Sequence, residues 1–376
     1  MGFSIYRKTR SIRATITTPD GERIVVENLR ADRGFRMSFD CMRSMTGEPA
    51  ECTLRMVNLP PDVLGVLEAA QTTRVDDLDA LLVGKALQSA EVAADGSDAL
   101  AAGFLLVEVE AGFDGVMSRV FRCIAARSRT EFESDDVTLV TTISANENLD
   151  AAVLGMPSGS FTAGTPLFEV LDYLRRIAGC GPGNLSPANL DALIGVSRLD
   201  SPYHVSGGQA LSLIATVLAP LPARWFIDDR EIWMCARDGL PSPTGAVPWI
   251  ADGPPEELEP LIGRPKTEDG GDVSVACLLC PRIRPGRLVR LTPAGLALAA
   301  QGLSPRAAQV TRAKVRPGLY RVEQIRHSGT TGPDRFESSM RLRAITLGTP
   351  GVVLSDAMRL LLDLGLAPAE VVDVGL

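Results

Sequence analysis

The sequence predicts an α+β chain that is mainly β, with its elements ordered β, then α/β, then β. Three observations carry this reading. Apolar and polar residues alternate with the period of a strand over residues 10–58 and again over 273–346. Between them, residues 147–240 hold two helical patterns and a short hairpin. Gly (35) and Pro (26) are plentiful while aromatics are only 5%, which calls for many turns and short elements. At 376 residues, 45% hydrophobic and 22% charged, the chain can fill two or three globular domains without a disulfide scaffold.

The first β unit is expected over 1–146. "RSIRATITT" is a strand, "PDGER" a turn, and "IVVENLRADRGFRMSFDCMRS" resumes strand character. In "FRMSFDC" the residues Phe35, Met37, Phe39 and Cys41 share a face; in "CTLRMV" so do Cys52, Leu54 and Met56. A symmetric hairpin then pairs Cys41 with Cys52, Phe39 with Leu54 and Met37 with Met56. That cysteine pair reads either as a disulfide or metal pair, or as two small apolar residues on the core face; we take the second. "NLPPDVLGVLEAA" opens a helix with Val63, Leu64 and Leu67 as its stripe, and an acidic helical insert runs through about 60–103. "FLLVEVEAGF", "SRVFRCIAARSRTEF" and "DDVTLVTTISA" supply three further strands.

The α/β middle unit is expected over 147–240. "TPLFEVLDYLRRIAG" is an amphipathic helix capped by Thr165, with Pro166 in its first turn and Gly179 at its end. Its apolar face is Leu167, Val170, Leu171, Leu174 and Ile177. After the turn "SPYHVSGG" comes the helix "GGQALSLIATVLAPL". "ARWFIDDREIWMCARDG" is a hairpin with Trp225, Ile227, Ile232 and Met234 on its apolar side. A Pro-rich linker leads to a second β unit over 241–348: the strand "DVSVACLLC", the turn "PRIRPG", the strand "RLVRLTP", and a long hairpin from "GLYRVEQIRH" with "SGTTGPD" at its tip. Residues 349–376 read as a C-terminal helix and tail.

A formal charge of −8 disfavours attraction of the whole chain to nucleic acid or an anionic membrane. The charge is uneven. Residues 45–115 hold thirteen acids and three bases; residues 273–326 hold ten bases and one acid, Glu323. These are either two solvated faces or surfaces that meet between subunits. The N-terminus has no apolar core of a signal peptide, and no apolar run spans a membrane.

The strongest candidate for chemistry is Cys277 and Cys280, a C-x-x-C. Its strand runs into Pro281 rather than a helix N-terminus that would activate a thiol. No second C-x-x-C or nearby His completes a zinc site. Both cysteines read as packing residues. His204, in "SPYHVSGG", and His327, in the closing hairpin, lie in no nucleophile or metal motif. "GCGPGN" lacks the lysine of a phosphate loop. The expectation is no catalytic, cofactor-binding or metal-binding residue, no cofactor, and a structural or binding role.

The run "LIGRPKTEDGGDVSVACLLCPRIRPGRLVRL" resembles a segment of phage tail baseplate hub proteins through Gly263, Pro265, Leu278, Leu279, Pro281, Ile283, Pro285, Gly286, Val289 and Leu291. "ATITTPDGERIVVENLR" with "AECTLRMVNLPPDV", "VSGGQALSLIATVLAPLPARWFIDDREIWM" and the closing hairpin resemble the same family in the same order, while the acidic insert departs from it. The resemblance implies two similar β-barrel (tail-tube-like) domains separated by a small α/β domain. It implies a homotrimer, a pseudo-sixfold ring joining a sixfold tail tube or distal tail protein to a threefold spike or fibre. It implies DNA passage through the bore, with no membrane insertion by this chain, and a place in the virion tail after assembly in the host cytoplasm. The type VI secretion spike has a similar hub and is one rival; a tail-tip cell-wall hydrolase is the other.

Overall fold

The computed structural model describes residues 9–28, 36–72, 104–125, 128–133, 138–147, 157–195, 198–221, 223–236, 256–258, 260–268, 271–299, 315, 317–332 and 334–345. The insert beyond residue 72, the Pro-rich linker, the basic residues at 306–316 and the expected C-terminal helix lie outside the described residues.

The first β region contains β1 (Arg10–Thr17), β2 (Arg23–Glu27), β3 (Met37–Ser44), β4 (Glu51–Val57), α1 (Pro61–Thr72), β5 (Leu105–Phe113), β6 (Val116–Ala125), β7 (Ser128–Phe132) and β8 (Leu139–Asn146). The expected hairpin forms in the expected register: Met37 faces Met56, Phe39 faces Leu54 and Cys41 faces Cys52 across β3 and β4. All six are buried, because a period-2 apolar pattern puts every second residue on the core side. The single strand expected over 118–132 is two, β6 and β7, which both pair with β8.

The middle region contains β9 (Ser158–Phe161), α2 (Leu167–Ile177), α3 (Pro187–Ile194), β10 (Tyr203–Ser206), α4 (Ala210–Leu218), β11 (Ala223–Asp228) and β12 (Glu231–Ala236). Helix α2 buries Leu167, Val170, Leu171, Leu174 and Ile177, the face the sequence specified. Its N-cap is Pro166 and makes no side-chain cap bond, and Thr165 instead faces Thr162. Its C-terminus is closed by Gly179 in the left-handed region (φ 60°): Gly179 N–H donates to Arg176 O and Cys180 N–H to Arg175 O. Helix α3 was not expected. Ser186 caps it, Pro187 opens it and Gly195 ends it in the left-handed region. "SPYHVSGG" is not only a turn, since Tyr203–Ser206 pairs with β9.

The second β region contains β13 (Glu256–Glu257), β14 (Lys266–Thr267), β15 (Val273–Leu278), β16 (Leu288–Leu291), α5 (Pro293–Ala299), β17 (Gly318–Thr330) and β18 (Phe336–Ala344). Among the described residues the two β regions do not form two closed barrels. No sheet closes among the described residues. Their strands form one 14-stranded sheet with the path β14-β15-β18-β17-β3-β4-β8-β6-β5-β1-β2. The physical reason lies in β17. One of its edges pairs with β18. The other pairs with β16 over residues 318–321 and then with β3 over 324–330. The register with β18 shifts between Val322 and Gln324, so Glu323 is the bulge at which β17 changes partner.

Among the described residues there are three large apolar clusters. The first gathers residues of β1–β6 and β8, the second those of the helices and hairpin of the middle region, and the third those of β15–β18. Leu279 and Phe336 belong by sequence to the third but pack into the first. Phe336 meets Phe113 edge to face at 5.0 Å. Gly329 makes room for it: a Cβ there would stand 2.5 Å from the Phe39 ring and 3.1 Å from the Phe336 ring. The Arg10 guanidinium donates to Asp334 O (2.6 Å), drawing β1 toward the hairpin tip.

Candidate functional site

The densest polar chemistry lies where the three regions meet. On β3 the core face runs Met37, Phe39, Cys41 and then Arg43, so an arginine is carried inside by the same alternation that buries its neighbours. Its side chain is 1% exposed. Facing it is the turn of the β11–β12 hairpin. Asp229 and Arg230 both have positive φ (52° and 61°), the conformation of a tight two-residue hairpin turn, adopted here without glycine. That turn aims two carboxylates at the seam. Arg43 binds Asp228 at 2.5 Å and Asp229 at 3.4 Å. Arg119 from β6 reaches Asp229 at 2.8 Å. Arg284, from the "PRIRPG" turn, bonds Asp228 at 3.2 Å and also Asp229.

Burial pushes the Asp229 carboxyl upward, but Arg43, Arg284 and Arg119 overcome it and hold the group at about 2. Behind the turn, buried Glu147 accepts from Ala50 N–H (3.2 Å) and Arg230 N–H (2.6 Å). Burial raises its pKa, with Arg43 opposing. The Arg230 guanidinium reaches back to Gly179 O at the end of α2 (3.2 Å). The hairpin also makes apolar contacts with the first region: Phe226 and Cys235 pack on Met45 just past β3, and the Trp225 ring lies against Gly47.

A second cluster sits on the bulge. Glu323 receives Arg224 from β11 at 2.7 Å and the fully buried Arg321, while its carbonyl accepts Met45 N–H at 2.9 Å. Asp272, 2% exposed, binds Arg341 at 2.7 Å and Arg343 at 3.1 Å.

Of the residues the sequence singled out, His327 lies at this seam. A carbonyl can only accept, so His327 Nε2–H donates to Ile283 O at 3.1 Å. Nδ1 then accepts from Ser338 Oγ at 2.8 Å, and Ser338 Oγ accepts Cys280 N–H at 2.9 Å. Burial, with Arg43 nearby, lowers this imidazole to about 3 and keeps it neutral. It is a strut between the proline turn and β17–β18. His204 lies on β10, exposed, against Ser160 at 2.9 Å. Cys277 is buried in the third core and its thiol is pushed up to about 12 by burial; burial also raises Cys280. High pKa values make both poor nucleophiles. Among the described residues no cluster of His, Cys, Asp or Glu is arranged to hold a metal ion, and no helix is long and apolar enough to cross a membrane.

Sequence reasoning missed Arg43, Asp228, Asp229, Arg284 and Glu147. The available signal was Arg43 on an apolar strand face. The arrangement pairs fixed positive and negative groups and couples three regions; its chemistry is that of a fastening. The outer side of β3, β4 and β17 is different, an open trough of about 1010 Å³ lined by small and charged groups such as Ser38, Asp40, Thr53, Arg326 and Thr330.

No protein-family model matches the chain, and no curated protein matches it. Among solved structures it is similar to the 43 kDa tail protein of prophage MuSo2 from Shewanella oneidensis. The TM-score is 0.51 and the identity 9%, over 90% of this chain and 97% of that one. It is also similar, at TM-scores below one half, to a tail protein from Neisseria meningitidis MC58 (0.43; 8% identity; 88% of this chain, 96% of that one). The E. coli c3393 protein, a component of the type VI secretion system, scores 0.46 (8% identity; 83% of this chain, 74% of that one). Over 90% of its length, the chain shares the fold of that prophage tail protein.

Proposed function

We propose that the chain is a non-enzymatic structural subunit of a phage tail: a baseplate hub that forms a homotrimer, a pseudo-sixfold ring. The observation that carries this is the fold match, which covers 90% of this chain and 97% of the MuSo2 tail protein. The ring joins a sixfold tail tube or distal tail protein to a threefold spike or fibre and passes DNA through its bore. Its place is the virion tail, after assembly in the host cytoplasm.

In this reading residues 1–146 and 241–348 are the two tube-like modules, 147–240 is the module between them, and 349–376 is a terminal helix. The physical support is the open sheet. Among the described residues its path ends at β2 on one side and β14 on the other, and an unpaired edge is a place where another chain pairs. Heterologous contacts between copies that close on themselves make a ring and cover such edges. The fastened seam suits a part whose task is to hold shape.

The test is the mass of the purified chain in solution by light scattering. Three times the 40.0 kDa chain mass is expected. A monomer at every concentration examined overturns the hub reading.

A further inference from the structure

We propose that Cys41 and Cys52 are a redox pair: hydrogen peroxide converts them to a disulfide that staples β3 to β4. This does not rest on the tail reading.

The backbone places the pair. Val57 N–H donates to Arg36 O, and Thr331 N–H donates to Met37 O. The odd-numbered residues of β3 therefore turn their backbone groups toward β17. Opposite β4 they form non-hydrogen-bonded pairs, in which side chains approach most closely. Cys41 and Cys52 are one such pair, in register. Cβ atoms in these pairs stand about 4.5–5.5 Å apart, and a disulfide needs about 3.5–4.5 Å, so a small approach closes the bond. Each thiol shifts the other's ionisation, as groups in close proximity do. Both are free and buried.

The chemistry is asymmetric. The neighbouring Cys52 thiol, and buried Arg43 on the same face, lower the pKa of Cys41, while burial raises that of Cys52. Cys41 sulfur attacks one peroxide oxygen; the O–O bond breaks, water leaves, and Cys41 becomes a sulfenic acid. Cys52 sulfur then attacks Cys41 sulfur. The S–O bond breaks and a second water leaves with the remaining thiol proton. Two thiols lose two electrons and the peroxide gains them. The C-x-x-C offers no such pair: Cys277 faces Ser338 across β15 and β18, and Cys280 lies beyond the end of β15.

The experiment treats the full chain with hydrogen peroxide and maps non-reduced peptides by mass spectrometry. The expected product is a linked pair of peptides carrying Cys41 and Cys52, two hydrogens lighter than the sum. Its thermal midpoint should rise by roughly 5 °C and return on adding dithiothreitol. In Cys52→Ala, dimedone should trap Cys41 as the sulfenic acid; in Cys123→Ala, the crosslink should persist. A Cys41–Cys123 crosslink, or oxidation at Cys280 while Cys41 and Cys52 stay free to alkylate, overturns the proposal. The wild-type map decides the matter even where a variant does not fold.

Discussion

The two β regions are joined to each other by backbone, whereas the middle region is held to both largely by charge. Between β17 and β3 seven residue pairs lie in antiparallel register, and Phe336 crosses with them into the first core. Between the β11–β12 turn and its surroundings the links include Arg43, Arg119 and Arg284 on two aspartates, together with Glu147 accepting from Arg230 N–H. A ladder depends little on which side chains ride on it. An ionic fastening is more sensitive to its members, because removing a buried arginine leaves two aspartates short of positive charge. The two seams therefore respond differently to substitution and to acid.

The largest effect is expected from Arg43→Ala. It should cost about 3–5 kcal/mol, as breaking a buried ion pair does. The loss should be local at first: hydrogen exchange should rise at 223–236 before it rises across the β17–β3 ladder. Equal loosening of both seams breaks the comparison.

Acid should separate the seams next. His327 titrates at about 3 in the fold against an ordinary 6.5, so the unfolded chain takes up the proton first. Its contribution is complete above pH 6.5, falls as pH drops toward 3, and is on the order of a few kcal/mol. Asp229 lies at about 2 against 3.8, so its contribution is complete above 3.8 and is lost as pH falls through 2. Denaturant unfolding measured against pH should show a slope between 6.5 and 4 that His327→Leu flattens, whatever the variant's overall stability. A slope unchanged in that variant removes His327 from the account.

The smallest effect sharpens the contrast. Arg55 and Glu133 form an ion pair at 3.1 Å with both side chains half exposed. Arg55→Ala should change stability by less than about 0.5 kcal/mol in the same denaturant assay.

Much of the β architecture was legible because it is local. The alternation in "FRMSFDC" and "CTLRMV" set the β3–β4 register, and the spacing in "LFEVLDYLRRI" set the buried face of α2. What escaped was either faint or distant. Helix α3 is short, and its Ser186, Pro187 and Gly195 signals sat in a stretch without a strong apolar stripe. Strand β10 finds its partner 42 or more positions earlier in β9. The merged sheet depends on a bulge at Glu323 and on β3 pairing nearly 300 positions away, which no local pattern reports. Arg43 and Asp228 are 185 positions apart, so only the misplaced charge on β3 hinted at the seam.

The same joint has a mechanical side. Tension drawn along β17 against β3 loads seven residue pairs together, in shear. The middle region touches that joint through a hairpin tip, where a pull acts on a few side chains in turn, as in peeling. Under a steady axial load the middle region lets go first, while the two β regions continue to carry force as one body.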